Sequence, residues 1–236
     1  MNNLNIKIYA DGADIEQMLK MHHENFVTGF TTNPTLMSRL GIKDYLGFAK
    51  DVLSHIKDKS ISFEVFSDDI DEMYRQAILL RSLGENVWVK IPVTNTKSEY
   101  TYDLIRKLSN DGVKINATAL FTKSHIENVF NSLNKDIPSI ISIFAGRIAN
   151  AGIDPEPTML FASQLTAEYK HIETLWASSR EVFNVMQAER TNTDIITLPF
   201  SLIRAFKKEV GKDLDEFSLE TVKMFYEDAK KSGYSL

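Results

Sequence analysis

A lysine stands inside an apolar run, NVWVKIPVT, at residues 86–94. Val87, Trp88, Val89, Ile91 and Val93, with Pro92 near the end, read as a short strand buried on both faces, and Lys90 is the one charge in it. A lysine in water has a pKa of about 10.4, so its amine is protonated and not nucleophilic at neutral pH. Desolvation among Trp88, Val89 and Ile91 would disfavour the ammonium and can bring a catalytic lysine to roughly 7–8, freeing the lone pair to attack a carbonyl. The chemistry implied is Schiff-base formation. An interior lysine is equally compatible with an ion pair to Glu64 or Asp11, or with an unreactive side chain reaching the rim, and the residue pattern leaves these readings open.

Schiff-base chemistry needs proton carriers, because the carbinolamine must lose water and a carbon–carbon bond breaks only as a hydroxyl proton leaves. Asp11 in IYADG and Glu64 in FEVF are candidates to divide that work. Singly, each has a plain structural role: Asp11 with Gly12 as a turn or helix cap, Glu64 as the neutraliser of Lys90. With Lys90 they form a set suited to catalysis. Arg147 and Arg180 carry guanidinium forks that match phosphate oxygens bidentately, with surface salt bridging as the alternative for each singly.

These residues need a frame to bring them together. Short β-type runs at 6–10, 29–32, 61–65, 86–94, 114–117, 139–144, 174–177 and 194–197 alternate with helical patterns, and a further helix is expected at about 218–230. Asp14 and Gln17 have capping-box-like spacing at the first helix. Eight strand–helix units without a long Pro/Gly/Ser linker predict an α/β fold, a single (β/α)8 TIM barrel domain over residues 1–236 with an additional C-terminal helix. No GxGxxG or GxxxxGK[ST] loop argues for an open doubly wound sheet. In a barrel the chemistry lies at the C-terminal ends of the strands. There the sequence places Asp11, then Thr31, Thr32 and Asn33, then Glu64, Lys90, Asn116 with Thr118, Ser142 with Phe144 and Arg147, and Ser178 with Arg180. The two arginines follow the sixth and seventh strands, where barrels often hold a phosphate.

Bulk properties narrow the classes. A chain of 236 residues, 43% hydrophobic, can bury a substantial core. A formal charge of -5 and a pI near 5.6 give no basic excess to attract nucleic acid or an anionic membrane, so phosphate binding must come from a few placed residues. The absence of cysteine excludes disulfides, thiolate metal sites and a thiol nucleophile. No stretch approaches the roughly 18 apolar residues of a membrane span and the first residues lack a signal-peptide core, so a cytoplasmic location is expected. The five histidines, including His22 and His23, lack zinc-site spacing, and DDIDE at residues 68–72 reads as an acid-rich helix start rather than a calcium loop.

IYADG, FTTNPTL, FEVF, VWVKIPVT, INATALF, ISIFAGRI, WASSR and ITLPFSLI resemble, in order and spacing, the motifs of the transaldolases, from the first strand to the eighth. DEFSLETVKMFYEDA is similar to that family's C-terminal helix. The resemblance implies a metal-free, cofactor-independent class I enzyme of the pentose phosphate pathway. It would move a dihydroxyacetone unit from sedoheptulose 7-phosphate or fructose 6-phosphate to an aldose phosphate. Lys90 matches the Schiff-base lysine, Asp11 the group that takes the C4 hydroxyl proton, and Glu64 with Thr118 and a water the proton shuttle of imine formation and hydrolysis. Thr32, Asn33, Asn116 and Ser142 match positions that hold donor hydroxyls; Arg147, Ser178 and Arg180 match the phosphate site.

The related fructose 6-phosphate aldolases, which release free dihydroxyacetone, resemble the pattern with glutamine in place of Glu64 and tyrosine in place of Phe144. Both positions here are of transaldolase type, and Phe144 cannot offer a catalytic water the hydrogen bond of a phenol. A non-catalytic sugar-phosphate-binding barrel is the rival from another class; simple binding needs no set of Lys90, Asp11 and Glu64. Gly12, where a hydroxyl residue is usual, and Ala117 and Ala119 around Thr118 depart from the pattern and bear on pocket packing. Compact members often assemble through the C-terminal helix, so a homo-oligomer is expected, with Phe217, Val222 and Phe225 either in that contact or packed on their own barrel.

Overall fold

In the computed structural model, which describes residues 4–235, strands and helices alternate from the first strand onward. The first half comprises β1 (Lys7–Asp11), α1 (Ile15–His22), β2 (Val27–Thr31), α2 (Pro34–Arg39), α3 (Tyr45–His55), β3 (Ser60–Glu64), α4 (Ile70–Arg81), β4 (Val87–Pro92) and α5 (Tyr102–Asn110). Next come β5 (Ile115–Leu120), α6 (Lys123–Ser132), β6 (Ser139–Ile143), α7 (Ala145–Asn150), α8 (Glu156–Thr166) and β7 (Ile172–Trp176). The chain closes with α9 (Phe183–Arg190), β8 (Ile195–Pro199), α10 (Phe200–Glu209) and α11 (Leu214–Ser232). Neighbouring strands are parallel and pair in chain order, and β8 returns to β1 in the register Lys7↔Ile195 to Asp11↔Pro199. The fold is the expected (β/α)8 barrel with an additional C-terminal helix.

Successive side chains on a strand point to opposite faces, which gives this barrel two apolar layers. Outward residues such as Phe30, Ile61, Phe63, Val89, Ile91, Ile115, Ile141 and Ile143 pack beneath the helices. Each such fully buried side chain contributes about 1.5–3 kcal/mol relative to exposure. Inward, Tyr9, Ile140, Leu175 and Ile195 fill the lower barrel together with Trp88. Above that plug the inward positions turn polar: Asp11, Thr31, Ser62, Glu64, Lys90, Asn116, Thr118, Ser142 and Thr197.

Capping side chains set where the helices near this rim begin. The Asp14 carboxylate accepts the Gln17 N–H at 3.0 Å, Asn33 Oδ1 that of Leu36 at 3.0 Å, and Asp44 that of Gly47 at 2.8 Å. Asp69 accepts the Glu72 N–H at 2.9 Å, so the acidic run at 68–72 does open a helix. Such caps are worth about 1 kcal/mol each. Asn33 with Pro34 also accounts for α2, a short helix that the apolar periodicity does not reveal.

Helix α11 is longer than the 218–230 expected from sequence. Asp213 caps it earlier, accepting the N–H groups of Asp215 and Glu216 at 2.9 and 3.1 Å, and Gly233 ends it in the left-handed region at φ 67°. None of its residues is buried: Val222 and Phe225 are exposed, and half-buried Phe217 holds the Lys212 ammonium 4.6 Å from its ring centroid. Packing of Val222 and Phe225 on their own barrel is therefore absent. The departure at Gly12 has a steric cause, because a Cβ there would lie 2.1 Å from the Phe200 ring at the start of α10. Among the described residues no helix is long and apolar enough to cross a membrane.

Candidate active site

Strands β3 and β4 pair in the register Glu64↔Lys90, so two inward side chains on adjacent strands meet. Glu64 Oε2 lies 2.9 Å from Lys90 Nζ, which also donates to the Thr32 carbonyl at 2.9 Å. Lys90 is buried, at 6% exposure. Its surroundings differ from those expected. Val89 and Ile91 alternate to the opposite face and join the layer beneath the helices, while Trp88 lies one step lower in the barrel. The groups around the ammonium are a carboxylate and a carbonyl.

Asp11 stands at the end of β1 beside β2, and Thr31 Oγ1 donates to its Oδ1 at 2.7 Å. Thr31 Oγ1 also meets Thr197 Oγ1 at 2.6 Å, which links β8 to the same carboxylate. Burial pushes the Asp11 carboxyl above the usual carboxylate range; Lys90 and the Thr31 hydroxyl oppose that rise, and the Glu64 charge adds to it. On the far side of Lys90, Ser142 Oγ donates to Asn116 Oδ1 at 2.7 Å and Asn116 Nδ2 donates to Ser62 Oγ at 3.0 Å.

The register of β5 against β6 shifts between Ala117 and Leu120, and Ala119 takes the left-handed φ of 60°. This bulge brings both Thr118 and Ala119 to the cavity wall, whereas Ala117 is buried in the outer layer. Thr118 Oγ1 is buried and has no hydrogen-bond partner among the described residues.

A cavity of about 420 Å³ at the C-terminal end of the strands is lined by Asp11, Asn33, Glu64, Lys90, Thr118 and Ser142. Phe144, Arg147, Ser178 and Arg180 complete its wall on the β6–β7 side. With Thr31, which also lines it, eleven of the thirteen residues singled out at the strand ends share one cavity. The other two, Thr32 and Asn116, are fully buried off the wall, their side chains engaged with the Ser62 carbonyl and with Ser62 and Ser142. Asn33 reaches the cavity while its Oδ1 is committed to capping α2, which leaves its amide N–H groups to face inward contacts.

The arginine side of the cavity depends on a close backbone approach. A Cβ at Gly146 would lie 1.7 Å from the Ser178 carbonyl oxygen, so only glycine lets α7 sit against the segment after β7. Ser178 has a φ of 64°, and Ser179 Oγ anchors the segment on the Thr197 carbonyl at 2.9 Å. Among the described residues neither Arg147 nor Arg180 forms an ion pair; the Arg147 guanidinium lies 5.5 Å from the Phe144 ring centroid. Arg39 at the end of α2 lines the opposite wall.

The family model for Transaldolase/Fructose-6-phosphate aldolase matches residues 8–236. This chain belongs to that family. A "Probable transaldolase" of Thermoplasma volcanium is 32% identical over 236 residues, covering 96% of each chain. A "Probable transaldolase" of Dehalococcoides mccartyi is 31% identical over 202 residues, covering 84% of this chain and 88% of the relative. In fold, the chain resembles the crystal structure of KGPDC from Streptococcus mutans in complex with ribose 5-phosphate, at a TM-score of 0.54 and 13% identity over 88% of this chain and 97% of the other.

Membership of a family of aldolases and transaldolases makes this chain an enzyme. Sequence reasoning passed over several members of its site network. Thr197, which with Thr31 braces Asp11, and Ser62, which holds Asn116, are inward by the period of two and were within reach of that rule. Tyr45 was not: it sits on α3, and its hydroxyl both accepts the Glu64 N–H and donates to the Glu64 carbonyl, each at 2.8 Å.

Removing one member of a buried ion pair strands the other. Glu64→Ala is expected to destabilise the protein by about 3–5 kcal/mol, and Lys90→Met/Glu64→Ala by less than Glu64→Ala alone, read from urea unfolding midpoints. Strictly additive losses would show that the two charges do not depend on each other.

Proposed function

We propose that the protein is a transaldolase of the pentose phosphate pathway, acting in the cytoplasm through an imine on Lys90 and needing no cofactor. The observation that carries this reading is a buried amine flanked by a carboxylate, with a second carboxylate and a hydroxyl unpartnered among the described residues on the same cavity wall. In this reading the neutral Lys90 amine attacks the C2 ketone of sedoheptulose 7-phosphate or fructose 6-phosphate. Glu64, through a water held by Thr118, protonates the departing carbinolamine hydroxyl and completes the imine. Asp11 takes the C4 hydroxyl proton as the C3–C4 bond breaks. The aldose phosphate leaves and the bonding electrons pass into the enamine, which adds to an acceptor aldehyde before hydrolysis frees Lys90.

Asn33 and Ser142 contact donor hydroxyls in this scheme, with Thr32 and Asn116 acting from behind the wall. Arg147, Ser178 and Arg180 hold the phosphate, and the absence of acidic partners at the two guanidiniums among the described residues supports that assignment. The likeness to a barrel solved with ribose 5-phosphate agrees with a phosphorylated sugar as ligand. Phe144 favours transfer over release of free dihydroxyacetone, since it offers water no hydroxyl.

Borohydride reduction with fructose 6-phosphate, followed by peptide mass mapping, is expected to place a three-carbon or six-carbon adduct on Lys90. Turnover should need an aldose phosphate acceptor. No adduct would leave a sugar-phosphate-binding barrel without turnover, whereas efficient acceptor-free cleavage would make the enzyme a fructose 6-phosphate aldolase.

The raised pKa of Asp11 carries a sign. The base is lost as pH falls through that value, so the acid limb of kcat is expected above the ordinary aspartate range of about 3.9. Asp11→Asn is expected to lower kcat by about 10²–10⁴-fold and to remove the limb. A limb that persists unchanged in Asp11→Asn protein would transfer the role to another group.

The exposed apolar residues of α11, Leu214, Leu219, Val222 and Phe225, support assembly into a homo-oligomer through that helix. Light scattering is expected to give a mass above that of one chain, reduced by Phe225→Glu. A wild-type monomer would overturn the assignment.

A further inference from the structure

In a parallel ladder, a residue whose N–H bonds one carbonyl of the neighbouring strand receives on its own carbonyl the N–H two residues further along that strand. Strands β2 and β3 keep this pattern up to Thr31↔Ser62, and the Thr32 N–H still bonds the Ser62 carbonyl at 3.1 Å. The next bond of the ladder would run from the Glu64 N–H to the Thr32 carbonyl. It is not made. The Glu64 N–H goes to Tyr45 Oη at 2.8 Å, and the Thr32 carbonyl instead receives Lys90 Nζ at 2.9 Å.

We propose that Tyr45 is a positioning residue for Lys90: its phenol takes the place of a ladder partner at the end of β3, which leaves the Thr32 carbonyl free to hold the amine beside Glu64. The inference rests on Lys90 being the imine-forming amine. One oxygen serves both backbone groups of Glu64, since Oη accepts the N–H and donates to the carbonyl at 2.8 Å. Glu64 therefore keeps its main-chain bonds satisfied without closing on Thr32. Burial raises the Tyr45 phenol well above its ordinary pKa, so the hydroxyl keeps the proton it donates. The ring itself is fixed by Phe63 and Phe66, at centroid distances of 6.4 and 5.1 Å. Helix α3, which bears no residue of the cavity wall, thus reaches the reacting amine through the main chain of two strands.

Without the hydroxyl, the Glu64 N–H has one acceptor within the ladder, the Thr32 carbonyl, where it competes with Lys90 and draws the strand ends together, shifting the amine. Tyr45→Phe keeps the ring and removes the hydroxyl, with its bonds to the Glu64 main chain and its contact with the Thr32 side chain. Borohydride trapping of fructose 6-phosphate on Lys90 should slow about 10- to 100-fold at saturating donor, the scale of a misplaced reacting group. The donor concentration for half-maximal rate should stay within about twofold, because the arginine side is untouched. Phe48→Leu, which loosens α3 against Phe63 without removing a hydrogen bond, is the control for packing; the two rings meet edge-on at 6.4 Å. It should trap within about twofold of wild type even where it lowers the melting temperature as much. Wild-type rates in Tyr45→Phe, or an equal slowing in Phe48→Leu, would overturn the inference. Absence of a Lys90 adduct in the wild-type protein would overturn the imine reading itself, and the inference with it.

Discussion

Taking an ammonium out of water costs several kcal/mol unless other groups replace its hydration, and that requirement at Lys90 shapes the upper half of the barrel. A carbonyl and a carboxylate supply the replacement, each at 2.9 Å. The carboxylate is available because β3 and β4 pair in a register that sets Glu64 opposite Lys90. The carbonyl is available because the β2–β3 ladder ends one bond early. Strand register, an interrupted ladder and a tyrosine from an outer helix thus converge on one nitrogen. A change in any of them moves the amine or strips it of a partner.

The same requirement separates the barrel into two halves. Below, Tyr9, Trp88, Ile140, Leu175 and Ile195 pack as an apolar plug that closes the lower end. Above, the inward polar groups are tied to one another: Ser142 to Asn116 to Ser62 on one side, Thr197 to Thr31 to Asp11 on the other. Buried polar networks are rigid when every member is bonded, and these two chains fix the wall on both sides of the amine. The buried Thr118 hydroxyl on the same wall has no partner among the described residues, and in the imine scheme it holds the water that relays a proton.

Much of this was legible in the sequence because the rules that encode it are local. The alternation of eight β-type runs with helical patterns specified the barrel, and reading the residues at the end of each run gathered eleven that do line one cavity. The failures have physical causes. Val89 and Ile91 were expected around the ammonium because they adjoin it in sequence, yet adjacency on a strand means opposite faces. Thr32 and Asn116 stand at strand ends but give their side chains to Ser62. Tyr45 was invisible because its hydrogen bonds span 19 residues and end on backbone atoms, which leave no mark on side-chain pattern. The start of α11 was misplaced because its cap, Asp213, precedes the apolar periodicity.

The two sides of the cavity, one suited to carbonyl chemistry and one to an anion, are joined at Phe144. Its ring packs on the apolar plug, lies 5.8 Å from that of Phe121 and holds the Arg147 guanidinium 5.5 Å from its centroid. Arg147 has no carboxylate to fix it in the described residues, so the ring and the start of α7 orient it. The start of α7 is itself set by Gly146 against the Ser178 carbonyl, which couples the guanidinium to a segment held in a left-handed turn. A phenol at position 144 would therefore act twice, adding a hydroxyl to the wall near the proposed enamine and altering the surface on which the arginine rests. In the proposed scheme, selection between transfer and hydrolysis at this position is tied, through that one ring, to the grip on the anionic end of the sugar.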